Sequence, residues 1–301
     1  MSAAPALLPR CDTTTPQIRA NVVRYQGAGG RLRPQQLVPP RGGASATLHP
    51  LSADRPLEAR APTGGCRVLL CVDGAVRLRS GHLDTILGPR DLALVPTGTP
   101  HRVESSGRAN LLAVDFIRFP AFHTAVARAG QIQPVREHPL FRLGLGVFSE
   151  LLGPRDLRLL VGPETGLMRP RYAITGPQHL VITLATTPPG TGPAMHVHTR
   201  THEAFIVLDG QFDVVWGDRA EHHERLNRLD AIVIPPGVNR TFRNVGDTTG
   251  AILPIVVGAD DELEDIAWLS SVRDDLAERV PAPLLWVAEK MKLRFVERER
   301  P

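Results

Sequence analysis

Cysteine is scarce: Cys11, Cys66 and Cys71 are the three in 301 residues. Three thiols cannot build a disulfide framework, and a chain this long buries enough apolar surface without one. Cys66 and Cys71 lie five apart in an apolar run, so on a strand their side chains face opposite ways. Both read as buried thiols in a reducing cytoplasm, the expected location of this chain. Lysine is almost missing as well, since every basic residue but Lys290 and Lys292 is an arginine. The arginines are scattered rather than gathered in a stripe, and the net charge is only +4, so no nucleic-acid partner is expected. No apolar run approaches the ~18 residues that cross a bilayer. The opening MSAAPALLPRC lacks the apolar centre of a signal peptide, and no membrane partner is expected.

What is abundant is turn chemistry. There are 27 glycines and 28 prolines, well above the roughly 12% that the pair averages, which favours short strands over a helical bundle. Residues 1–44 read as a Pro/Gly-rich arm with one strand at Ile18–Tyr25. Residues 45–118 alternate strand-length apolar runs with turns (CRVLLCVDG, AVRLRSG, DTILGPRDLALVPTGTPH, ANLLAVDFI), a spacing that indicates a sandwich or barrel. Residues 119–165 read as a connector with short helices in PAFHTAVARAGQ and HPLFRLGLGVFSELLG. Strands return over 166–258 (HLVITLATT, EAFIVLDG, QFDVVWGD, DAIVIPPG, TFRNVG, AILPIVVG). Residues 259–301 read as helical, because Leu263, Ile266, Leu269, Val272 and Leu276 recur near helical spacing.

The two β segments repeat one another. Gly74, Asp91, the PTG at 96–98 and His101 in the first match Gly210, Asp230, the PPG at 235–237 and Arg240 in the second. An internal duplication accounts for the shared spacing.

In GTGPAMHVHTRTHEAFIVLDG, His196 and His198 are two apart and share one face of a strand. Glu203 follows across a polar bend. Two imidazoles and a carboxylate on one face form a donor set suited to Fe(II), Mn, Zn or Ni, with positions left open for other ligands. His202 reads as a solvent-facing neighbour, and His222 and His223 as a polar hairpin loop. His49, His82, His123, His138 and His179 have no partner at metal spacing. Phe205, Phe212 and Phe242 alternate with Val207, Val214 and Trp216 as barrel core, and the three Phe rings could also bound an apolar substrate cavity.

These residues resemble the cupin superfamily. Gly190, His196, His198, Glu203 and Gly210 meet every position of its first motif. Pro235, Gly237 and Asn244 fit its second, while Leu229 stands at the leading glycine and Arg240 at the histidine. The resemblance implies an all-β fold of two tandem double-stranded β-helix (jelly-roll) barrels, a bicupin, with short connecting and C-terminal helices. It also implies a metal shell completed by a histidine where this chain has Arg240. Arginine cannot ligate a cation. Either the metal keeps His196, His198 and Glu203 while Arg240 receives an anionic substrate, or Arg240 pairs with Glu203 in place of the metal.

In the first repeat, counting back from Gly74 puts Arg67 at the glutamate position and Arg60 and Pro62 at the two histidines, leaving only His101. Its LGPRDLALVPTGTPH stretch resembles the sugar-sensing cupin domain of AraC-type regulators, without the DNA-binding region those proteins carry. The expected function is a mononuclear dioxygenase or other oxidoreductase acting on a small anionic or aromatic compound. Fe(II) is the favoured cofactor, and Mn, Ni, Co or Zn are alternatives. A non-enzymatic small-molecule binder with an arginine anion site, and a cupin isomerase, cyclase or lyase, are the rival readings. A homodimer exchanging its Pro-rich arms is a further expectation.

Overall fold

The computed structural model describes residues 6–8, 18, 21–26, 33–118, 120–138, 146–164, 170–176, 178–258, 265–290 and 293–298. The chain divides into two compact units. One is Val23–Gln133 with Arg158–Thr183, and the other is Met1–Val22, Pro134–Leu157 and Leu184–Pro301. Each is built on a β-barrel, and strands dominate both.

In the first unit one sheet runs in the order Ala125–Ala127, Leu92–Val95, Cys66–Asp73, Ala109–Phe116, Ala44–Leu51, Gln35–Arg41. The facing sheet runs Leu57–Arg60, Pro100–Glu104, Val76–Ser80, Leu83–Leu87. Alternate residues point inward, and Leu69, Cys71, Leu78, Val95, Val103 and Leu111 fill the interior. Cys71 belongs to that cluster and Cys66 does not, although both are buried. Burial pushes each thiol up to about 12, so neither ionises at neutral pH.

Two expectations fail here. The arm does not extend to residue 44: Gln35–Arg41 pairs antiparallel with Ala44–Leu51. Gly42 and Gly43 make the turn at φ +56° and +95°, a backbone that suits a tight hairpin. PAFHTAVARAGQ forms a strand at Ala125–Ala127 and a single 3-10 turn at Ala129–Gln131, not an α-helix. Asp91 accounts for this. Its carboxylate accepts from Arg128 Nη1 at 2.9 Å and from the Ala129 N–H at 2.8 Å, holding the preceding residues against Leu92–Val95.

In the second unit one sheet has the order Ala6–Leu8, Phe295–Arg298, Ile266–Leu269, His196–His198, Asn239–Asn244, Phe212–Trp216, His222–Leu226. Opposite it lie Gly250–Val257, His202–Asp209 and Ala231–Ile234. Phe205, Val207, Phe212, Val214, Trp216, Ile232, Ile234, Phe242 and Ile252 pack between them. Each such fully buried side chain contributes about 1.5–3 kcal/mol. Ile18, from the N-terminal segment, is fully buried in this same core, and among the described residues of the expected strand Ile18–Tyr25 the strand is Val22–Val23.

The C-terminal segment differs from its periodicity. Ile266–Leu269 is a strand, and the helix begins only at Ser270, running to Arg279. Ala267 and Leu269 alternate into a small cluster with Val197 and Val296, and pairing with His196–His198 gives the strand its hydrogen bonds. A second helix spans Ala282–Lys290. In the connector, Gly146–Leu152 is helical; residues 139–145 of the expected helix, and Leu263, lie outside the described residues. Among the described residues, no helix is long and apolar enough to cross a membrane.

Candidate metal centre

The strand His196–His198 turns both imidazoles inward and Val197 outward. His196 lies directly opposite Arg240, and Arg240 opposite Trp216. Glu203 comes from the facing sheet, opposite Ile234, the residue just before Pro235. His196, His198, Glu203 and Arg240 are all buried, Arg240 completely.

The hydrogen bonds fix which nitrogen of each ring faces the centre. His196 Nδ1–H donates to the Ala194 carbonyl at 3.0 Å. His198 Nδ1 lies 2.9 Å from Thr201 Oγ1 and 3.3 Å from Asp265 Oδ2. The Nε2 atoms therefore face the centre, and they lie 3.9 Å and 3.6 Å from Glu203 Oε2. Burial, the largest effect, pushes His196 down to about 3, so its ring stays neutral. Burial would raise Glu203, but the neighbouring imidazoles and Arg240 outweigh it and hold the carboxyl below its usual range. Three candidate ligand atoms thus face one another within 4.8 Å. This donor set fits a divalent transition ion, with His196 Nε2, His198 Nε2 and a Glu203 oxygen as its ligands.

Arg240 answers part of the Glu203 charge. Its Nε–H donates to Oε2 at 3.0 Å and Nη1 donates to the Val238 carbonyl at 2.9 Å, while Nη2 has no partner among the described residues. Both roles expected of Arg240 draw on this geometry: it pairs with Glu203 and still presents a free donor edge.

Asp265 is the residue that sequence reasoning missed. It is fully buried and accepts from Thr199 Oγ1 at 2.8 Å, Arg200 N at 2.7 Å, Thr201 N at 3.1 Å and Thr201 Oγ1. Burial raises its carboxyl, and these donors together with His198 hold it well below the usual range. It organises the bend between the histidines and Glu203 and orients the His198 ring, as a carboxylate behind a metal-bound histidine does. In DDELED it reads as one acid among several at a helix start, and no short motif connects it to His198.

The three phenylalanines are core. Phe205 and Phe212 each meet the Phe242 ring edge-on, with centroids 5.5 and 5.8 Å apart. His222 and His223 sit on a strand rather than in a loop. The His222 ring tilts against Trp216 at 5.8 Å, and His223 is exposed. His202 faces away from Glu203 on the same strand and is half-buried.

In the first barrel Arg67 takes the place of Glu203: it stands opposite Val95, just before Pro96, and opposite Asp115. His101, however, pairs with Ala59, so Ala59 and Ala61 hold the histidine positions rather than Arg60 and Pro62. The segment before Arg67 is one residue longer than its counterpart, which shifts the count. Arg67 makes a two-pronged pair with Asp115 at 2.6 and 2.8 Å, with His101 Nε2 3.4 Å from Nη1. His49, read as isolated, is electrostatically coupled to Arg67, Asp115 and His101.

Residues 183–257 match the cupin-domain family model. Comparison with curated proteins returned no match. Among solved structures, an IolB-like protein from Salmonella typhimurium aligns with TM-score 0.60 and 13% identity, over 82% of this chain and 95% of that one. Salicylate 1,2-dioxygenase from Pseudoaminobacter salicylatoxidans aligns with TM-score 0.52 and 14% identity, over 77% and 75%. Oxalate decarboxylase from Bacillus subtilis aligns with TM-score 0.52 and 13% identity, over 80% and 78%. At such identities the likeness is one of fold. Residues 183–257 thus form a cupin domain, whose β-barrel carries the His196–His198–Glu203 set, and the first unit repeats its turn spacing.

Proposed function

We propose that the C-terminal barrel is a mononuclear metal centre and that the protein is a metal-dependent cupin enzyme, of dioxygenase type, acting on a small anionic or aromatic organic acid. The observation that carries this reading is the convergence of His196 Nε2, His198 Nε2 and a Glu203 oxygen in a buried site, each ring held from behind through Nδ1. A divalent cation among the three answers the charge of the buried carboxylate. When bound, a divalent transition ion supplies Lewis acidity there and, if it is iron, an open position for O₂.

The chain's own residues do the rest. Ala194 O and Asp265 hold the two rings with Nε2 inward. Arg240 keeps Glu203 ionised and leaves Nη2 to meet an anionic oxygen. Phe205, Phe212 and Phe242 pack in the apolar core of the same barrel. The fold likeness to an oxygenase of an aromatic acid and to a decarboxylase of oxalate is in keeping with a carboxylate substrate.

Metal content tests it. Wild-type protein is expected to take up about one equivalent of Fe, Mn, Co, Ni or Zn, and His196→Ala to lose it, because two protein ligands rarely hold such an ion. If wild type takes up none of the five, the reading fails, and the Glu203–Arg240 ion pair becomes the finished state of an anion-binding site.

A further inference from the structure

Among the described residues four buried side-chain N–H groups lack an acceptor: Arg155 Nε, Trp216 Nε1, Arg240 Nη2 and Trp268 Nε1. Trp268 packs in the C-terminal cluster. The other three belong to the interior of the cupin barrel. Trp216 and Arg240 are direct cross-strand partners, so their side chains share the inner face. Arg155 reaches that interior from the turn after the helix Gly146–Leu152, and its guanidinium carbon lies 5.4 Å from the centre of the inward-facing Phe242 ring. Its neighbour two residues on, Leu157, packs against the same core.

The turn that presents Arg155 is braced by the strand that carries the histidines. Gly153, at φ +66°, lies so close to the Gly192 carbonyl that a Cβ there would stand 2.4 Å from its oxygen. The Ala194 N–H donates to the Leu151 carbonyl at 2.9 Å. Burial draws the Arg155 guanidinium down to about 10, partly offset by Glu203, so it stays charged at neutral pH.

Buried donors without acceptors are costly, and native proteins keep few of them. Three in one barrel interior call for a ligand rich in acceptor oxygens. Charge sharpens the choice. Glu203 and Asp265 balance Arg240 and Arg155, so a divalent ion held by the histidines and Glu203 would leave two positive charges in a buried site. A monoanion answers one of them, and a dianion answers both.

We propose that Arg155, with the free edges of Arg240 and Trp216, forms a second anion subsite beside the metal position, and that the natural ligand is a small dianion with a carboxylate at each end. This deepens the metal-centre reading and rests on it for the charge argument, but the three donors stand without it. One carboxylate would lie at Arg240 and the other at Arg155. Neutral compounds and simple monocarboxylates would leave Arg155 unanswered.

The test is calorimetric titration of malonate, succinate, acetate and propionate into metal-loaded and metal-free protein, with metal content measured in parallel. Wild type is expected to bind the better dicarboxylate at least about tenfold more tightly than either monocarboxylate. Arg155→Met should abolish that preference while leaving metal content and monocarboxylate affinity unchanged. Arg155→Lys should keep part of it. Should Arg155→Met not fold, Arg155→Gln carries the same reading, with circular dichroism to verify its fold. A preference that survives intact in these neutral variants overturns the proposal, as does wild type that treats both ligand classes alike. If wild type takes up no metal, the reading above fails alone, and the metal-free titrations still decide this one.

Discussion

Arg240 is a cation at a position where a metal-binding barrel needs a donor, and it is tolerated because Glu203 is 3.0 Å away. Removing it leaves a buried carboxylate with a neutral His196 beside it. Metal-free Arg240→Ala is expected to lose about 3 kcal/mol of stability, and loading the metal should restore much of that, since the ion then answers Glu203. Thermal melts of the variant with and without metal check this; equal melting of metal-free wild type and variant would refute it. Asp265→Asn should leave the fold in place and weaken metal binding by about 10–100-fold, because His198 loses its orienting carboxylate. Competition against a chromophoric chelator reads the change directly. In the first barrel His49 is pushed down from 6.5 to about 4, first by burial and then by Arg67, against the opposing pull of Asp115. The unfolded chain therefore binds the proton first. Stability contributed by the neutral His49 is complete above pH 6.5 and is lost as pH falls towards 4, by up to about 3 kcal/mol. His49→Gln should flatten the denaturant midpoint across that window; an unchanged acid limb would show that other groups govern it.

At the scale of elements, strands were legible because their signal is local. Period-two alternation in QFDVVWGD and VRLRS needs no knowledge of partners, and both runs are strands with alternating burial. The misread segments are those whose state is set from a distance. Ala125–Ala127 is extended because Asp91 grips the residues after it. Ile266–Leu269 is a strand because His196–His198 offers it an edge. Helical spacing in the sequence could not report either. The repeated Asp turns, in contrast, were visible and are superposable in detail. Arg90 and Leu229, each just before its aspartate, adopt φ +69° and +68°, and their N–H groups donate at 2.7 Å to the Cys71 and Val207 carbonyls. A non-glycine residue there carries about 1–2 kcal/mol of strain. Glycine relieves it at both sites, but Leu229 is buried and Arg90 only half so. Leu229→Gly is thus expected to be less stable than Arg90→Gly by about 2 kcal/mol, measurable from urea midpoints. Equal midpoints would mean that the Leu229 side chain contributes little to the core.

At the scale of the whole molecule, two barrels with the same turn spacing hold different residues at the same positions. In the first, an arginine at the glutamate position is neutralised within the barrel by Asp115, and alanines hold the histidine positions. In the second the ligands remain. The exact histidine register was not legible because one extra residue before Arg67 is invisible without the pairing of His101 with Ala59. The site was legible as His-x-His and Glu, and illegible at Asp265 and Arg155, which come from segments far away along the chain. The second unit gathers three separate stretches, one of them beginning at Leu184 and reaching the end of the chain, while the first has most of its strands between Gln35 and Ala127. Because chains are made from the N-terminus at about 5–20 residues per second, the first barrel can close while the one with the His196–His198–Glu203 set is still being synthesised. Its histidines leave the ribosome well before the carboxylate that aims His198. For several seconds the nascent chain holds both histidines without Asp265. Under the metal-centre reading, the ligands of the site are therefore synthesised before the carboxylate that orients one of them, and the ordering of His198 waits on a strand made 67 residues later.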